Sequence, residues 1–215
     1  MAAEVVLDPR ERVPGKPFTD PANTRRDETA LRRLLAHERR RASAFAAIGD
    51  ASPTNVVIRE PDRSGRRHLL VIPDTAALLT APNPTVVGFF GRPRADADVA
   101  ELFALEEELV AGMGAYAADG LLSYYDVELV KGAYGNLILF TSPDGPRRWR
   151  ENTVHRRAVE ISPGSYHEIR LHQGSLFGRL LEGGRLTLAR TRYLDYSGPE
   201  VWRAVRTLAD QPETA

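Results

Sequence analysis

Trp149 and His155 stand six residues apart in PDGPRRWRENTVHRRAVE, directly after the strand-like run YGNLILFTS. A helix opening near Pro146 puts the indole at its base and the imidazole nearly two turns on. Of the five histidines, His155 is the one placed to hold a metal or haem. An imidazole on a helix flank at a cavity edge can donate a ring nitrogen to iron. The alternative is a helix-face histidine bonded to backbone.

A second set lies in SYHEIRLHQG. On a strand, Tyr166, Glu168, Arg170 and His172 share one face, and His167, Ile169 and Leu171 the other. The polar set is costly to bury under helices without partners, so it is the set expected to line a cavity. There His172 would act as general acid or base and Arg170 as anion or oxyanion stabiliser, with Tyr166 touching substrate. A solvated strand with a cross-strand Glu/Arg pair is the competing reading. Tyr125 is a further catalytic candidate. Asn136 is either a substrate-orienting amide or a turn residue. HEIRLH is not a zinc motif, because His167 and His172 point to opposite faces of one strand. No phosphate-binding loop, dinucleotide fingerprint or nucleophile elbow is present.

The elements that must position these groups follow from periodicity. Residues 1–27, with prolines at 9, 14, 17 and 21, read as an extended arm with a short strand at Glu4–Leu7. A helix follows from Asp27 to Ile48, with Leu31, Leu34, Leu35, Ala42 and Phe45 on one stripe and Gly49 as its stop. Asn55–Arg59 and Arg67–Ile72 make a hairpin, and AALL a short apolar turn. From Thr85 the pattern is TVVGFFG as a buried strand, and a helix capped by Asp96 or Asp98 with Val99, Leu102, Phe103, Leu109, Val110 and Met113 inward and Glu101, Glu106, Glu107 and Glu108 outward. Then come LLSYYDVELV and GNLILFTS as strands, the Trp149/His155 helix ended by ISPG, and SYHEIRLHQG. A further strand lies after Gly183-Gly184, and Pro199–Leu208, containing Trp202, reads as a C-terminal helix.

Residues 85–172 thus run β-α-β-β-α-β, the order of a ferredoxin-like α+β sandwich with two helices on one face of an antiparallel sheet. An open face carrying Phe, Tyr and Leu must be covered, usually by a second copy of the same sheet, and two such sheets enclose a barrel-like cavity. VVGFFG, YYDVEL with NLILF, and W-x5-H on the second helix resemble the dimeric α+β barrel superfamily. It includes antibiotic-biosynthesis monooxygenase-like proteins, chlorite dismutase-like haem proteins and aldoxime dehydratases. The resemblance covers about residues 85–196. It implies a homodimer, a small-molecule substrate, and His155 as the haem ligand. Residues 28–84 are then an N-terminal helix-plus-hairpin extension, or a degenerate second repeat, and 85–215 the barrel domain.

Composition bounds the rest. Twenty-nine Lys plus Arg balance twenty-nine Asp plus Glu, which argues against a nucleic-acid binder. The absence of cysteine excludes disulfides, thiolate catalysis and cysteine-ligated haem. No apolar run reaches membrane-spanning length and no signal peptide opens the chain, so a soluble cytoplasmic protein is expected. An Ala- and Arg-rich, Lys-poor composition suits a GC-rich bacterial genome. The functional expectation is a small-molecule enzyme of secondary metabolism, an oxidoreductase or dehydratase that is either haem-dependent or cofactor-free. Its rival is a non-enzymatic ligand- or haem-binding dimer.

Overall fold

The computed structural model describes residues 3–47 and 53–208. The elements, besides short 3-10 turns, are β1 (Val5–Leu7), α1 (Pro21–Ala46), β2 (Thr54–Pro61), β3 (Arg67–Asp74), α2 (Thr75–Thr80), β4 (Thr85–Pro93) and α3 (Val99–Gly112). They continue with β5 (Leu121–Glu128), β6 (Tyr134–Phe140), α4 (Gly145–Glu151), α5 (Thr153–Ser165), β7 (Tyr166–Phe177), β8 (Arg185–Asp195) and β9 (Trp202–Thr207).

The nine strands of the described residues form one sheet in the order β1-β9-β8-β7-β4-β6-β5-β3-β2. Its centre, β7-β4-β6-β5, is antiparallel throughout and has the strand order of a ferredoxin-like sandwich. The β2–β3 hairpin extends the β5 edge, while β8, β9 and β1 extend the β7 edge. The fold is α+β, with the N-terminal helix present. Among the described residues no helix is long and apolar enough to cross a membrane.

The face expected to require a second copy is covered from within the chain. α1 begins at Pro21, six residues earlier than the periodicity suggests, with Pro21 at its first position and Asp20 accepting from Ala22 N. Its Leu31, Leu34, Leu35 and Ala42 pack on the sheet beside Val86 and Phe90. Gly88 allows the approach: a Cβ there would sit 2.8 Å from Leu31 Cδ1. α1, and not a second sheet, covers this face. Ile48 and Gly49, the expected end of the helix, lie outside the described residues.

The opposite face carries α3, α4 and α5 over a second core that includes Leu69, Val71, Leu109, Met113, Ile138 and Trp149. Three local expectations change here. The Trp149/His155 helix is two helices, broken at Asn152, whose backbone is extended (φ −60°, ψ 132°). Pro163 does not end α5, which runs on to Ser165. Glu106 turns inward to Arg67, while Phe103 is 39% exposed.

Pro199–Leu208 is not a helix. Residues 202–207 are a strand paired with β8 along its length and with β1 in parallel. Ala204 and Arg206 are fully buried and their neighbours are not, a period of two. Sheet pairing on both sides overrides the helix-like composition.

Candidate functional site

α3 and α5 do not close over the sheet. Between them and the strands lies a cavity of about 660 Å³, well within the range of small-molecule sites. Its floor is apolar at Val87 and Phe89 of β4, Ile138 of β6 and Ile169 and Leu171 of β7. Leu102, Leu109, Val154 and Ala158 form its roof.

The polar end of the floor is on β5 and β6. Asn136 Nδ2 donates to Tyr124 Oη at 2.9 Å and to Asp126 Oδ1 at 2.7 Å. Arg67 Nη2 donates to Asp126 Oδ2 at 2.6 Å, and the same guanidinium grips Glu106 of α3. Burial, with the Glu106 charge added, pushes the Asp126 carboxyl well above the usual carboxylate range, against the pull of Arg67. Burial also raises the Tyr124 and Tyr166 hydroxyls. Asp126 is thus a shielded carboxyl at the bottom of an apolar chamber, suited to holding a proton for transfer.

His155 faces the chamber from the first turn of α5. Asn152 Oδ1 accepts from Val154 N and His155 N and so fixes that turn. On one helix, six residues would separate Trp149 and His155 by about 9 Å of rise. The break at Asn152 instead brings their rings to 5.6 Å. Trp149 is buried among Tyr116, Tyr124 and Phe140 and ties α4 to the sheet. Burial first, and the Arg150 charge second, lower the His155 pKa to about 4. The imidazole is neutral at ordinary pH, and among the described residues neither ring nitrogen has a hydrogen-bond partner.

Asn136 and Tyr166 line this cavity; His172, Arg170 and Tyr125 do not. Tyr166 reaches it through a bulge. Between Arg92 and Pro93 the register with β7 shifts by one residue, which turns Tyr166 onto the face of Ile169 and Leu171. His172 and Arg170 lie on the α1 face, which corrects their assignment to the cavity. His172 is fully buried, its Nε2 2.9 Å from Asp27 Oδ2 and its Nδ1 2.9 Å from Thr191 Oγ1. Arg170 makes a two-pronged ion pair with the same Asp27. The polar strand face could be buried because α1 supplies its counter-charge.

Tyr125 is also on the α1 face, fully buried, with its hydroxyl bonded to Nδ1 of His37 and, at 2.8 Å, to Nδ1 of His68. A hydroxyl carries one proton, so one imidazole donates and the other accepts. Glu60 Oε1 lies 3.2 Å from His37 Nε2. Burial lowers both imidazoles and raises the Tyr125 hydroxyl. Among the described residues no group of three or more His, Asp or Glu is arranged to hold a metal. Arg67 and Glu106 are the site residues that sequence reasoning does not single out. Tyr124 and Asp126 share one strand face, which marks Asp126 as a proton-transfer candidate. No sequence signal pairs His37 with His68.

No family model matches the chain, and no curated protein does. Among solved structures, an aldoxime dehydratase in complex with butyraldoxime is similar at 18% identity, over 62% of this chain and 39% of that chain, with a TM-score of 0.31. A second aldoxime dehydratase crystal structure is similar at 9% identity, over 66% of this chain and 34% of that chain, with a TM-score of 0.24. The chain spans well under half the length of either. At these scores the likeness carries no argument, and fold and site rest on strand order and side chains.

Proposed function

We propose that this chain is a small-molecule enzyme whose reaction chamber is the cavity between the sheet and helices α3 and α5, with haem held by His155. One observation carries the reading: the wall of a largely apolar 660 Å³ chamber presents a neutral imidazole with both ring nitrogens free of protein partners among the described residues. A neutral imidazole is the form that binds iron. The donor set therefore fits the group. Arg150, which lines the same chamber, suits a carboxylate of the group. Bound there, haem would supply redox or dehydration chemistry on a nitrogen- or oxygen-bearing substrate. The chain itself would exclude water with its apolar walls and orient the substrate through Asn136 and Tyr166. Asp126 would hold a proton at the chamber floor.

The absorption spectrum of protein purified from haem-replete cells tests this. A Soret band that His155→Ala abolishes supports it. Colourless protein that also fails to take up added haem rejects it. A second reading is favoured by Asp126 alone: cofactor-free acid–base chemistry on a substrate deprotonated or protonated at the floor. Colourless protein whose turnover falls about 10²- to 10⁴-fold in Asp126→Asn would select that reading.

A further inference from the structure

The register of the sheet lays out the cavity floor as ordered rows. Arg192 of β8 is paired with Leu171 of β7, Leu171 with Phe89 of β4, Phe89 with Asn136 of β6, and Asn136 with Asp126 of β5. The row reads guanidinium, apolar, apolar, amide, carboxyl. The next row repeats the theme with Arg190, Gln173, Val87, Ile138 and Tyr124. On the other side, Arg203 of β9 pairs with Leu194, and Leu194 with Ile169. Arg190, Arg192 and Arg203 all line the cavity.

Among the described residues, two of these three guanidiniums, Arg190 and Arg203, meet no carboxylate. Arg190 is bonded to the neutral amide oxygen of Gln173. Arg192 Nε lies 2.7 Å from Glu4 Oε1, a half-exposed carboxylate of the N-terminal arm. Arg203 has no carboxylate partner among the described residues. The other end is self-contained, because Arg67 lies between Asp126 and Glu106. The cavity is polarised: positive on β8 and β9, apolar across β7 and β4, and neutralised on β5. Four strand spacings separate β8 from β5, about 19 Å.

We infer that the cavity takes an elongated apolar molecule with an anionic head group. The head pairs with Arg190, Arg192 and Arg203, the body lies over Leu171 and Phe89, and the far end reaches Asn136 and Asp126. Two guanidiniums without a competing carboxylate favour an anion over a neutral or cationic head of the same length. The inference rests on the reading of this cavity as the small-molecule site. It does not require the cofactor.

The test uses the full chain carrying Trp202→Phe, so that Trp149 in the cavity wall is the sole tryptophan and is excited selectively at about 295 nm, at the tyrosine absorption edge. Dodecanoate, dodecanol and dodecyltrimethylammonium are titrated below their micelle-forming concentrations. Dodecanoate is expected to bind at least about tenfold more tightly than the other two. Arg190→Gln/Arg203→Gln should remove that preference and leave dodecanol unchanged, while Arg203→Lys retains part of it and shows that the site still folds. Equal affinity for the three probes, no binding of any, or a preference that survives the double substitution would overturn the inference. Haem uptake is measured on the same samples. Haem uptake without a dodecanoate preference removes the inference and leaves the cofactor reading. A dodecanoate preference without haem uptake does the reverse.

Discussion

Asp27 and Arg170 form a two-pronged ion pair, 2.6 Å from Nε to Oδ2 and 2.9 Å from Nη2 to Oδ1, that fastens α1 to β7. His172 closes the same carboxylate from the other side. Asp27→Ala leaves a shielded guanidinium without its counter-charge. It is expected to destabilise the fold by about 3–5 kcal/mol, measured by urea unfolding. Ligand affinity in the cavity, on the far side of the sheet, should be unchanged in the folded fraction. A loss of affinity with intact stability would return Arg170 and His172 to the binding machinery.

Glu38 gives the same interface a pH dependence. It is a fully buried residue of α1, and among the described residues neither carboxylate oxygen makes a well-formed hydrogen bond, although Ser123 and Arg39 lie close by. Burial raises its pKa to about 7, against the weaker pull of Ser123 and Arg39. A carboxyl whose folded pKa exceeds its unfolded value is protonated in the fold and charged in the open chain. Stability therefore falls as pH rises from the ordinary carboxylate range through about 7, and levels off above it. Glu38→Gln should flatten that profile and be more stable than wild type at pH 8 by about 3 kcal/mol. Parallel melts at pH 5 and pH 8 decide it.

Arg67 bridges the Asp126 and Glu106 carboxyls at the cavity floor. With Arg67→Met, Asp126 and Glu106 face each other without a cation and cannot both ionise at low cost. The variant should lose about 3–5 kcal/mol at pH 7 and distinctly less at pH 4, where protons replace the guanidinium. Equal losses at both pH values would mean that Arg67 acts through packing alone.

For His155 the linkage runs in the opposite direction. Its folded pKa of about 4 lies below the unfolded value. Its contribution is complete above about pH 6.5 and is lost as pH falls towards 4, because only the open chain takes up the proton. An NMR titration should show an imidazole unprotonated at pH 5.5. The stability difference between wild type and His155→Phe should move against wild type below pH 6.5. A midpoint near 6.5 would place the ring in solvent, outside the chamber wall.

The central β-α-β-β-α-β order was legible because each element carries a clean hydrophobic period. Long helices and buried strands announce themselves within a dozen residues. The site was half legible. His155, Asn136 and Tyr166 were named from residue type and neighbourhood, and all three line the cavity. His172 and Arg170 were placed on the wrong face by a sound premise with a missing fact. A polar strand face needs buried partners, and the partner is Asp27, 143 residues earlier in the chain. Nothing local marks Asp27 as more than a residue near a helix start. Tyr125 failed for a related reason, since His37 reaches it from α1. The strand at 202–207 was hidden because both of its neighbours are distant in sequence.

That last strand has a consequence for how the molecule is made. Val5 pairs in parallel with Ala204, so this edge strand emerges from the ribosome about two hundred residues before its partner exists. At 5–20 residues per second the wait is roughly 10–40 s. Through that interval the backbone carbonyls of Asp8, Glu11 and Thr19 lack their guanidinium donor. They close on the Arg206 guanidinium once it arrives. The arm is thus docked by a strand made about two hundred residues later, and the segment that brings Glu4 to Arg192 settles only after that strand is in place.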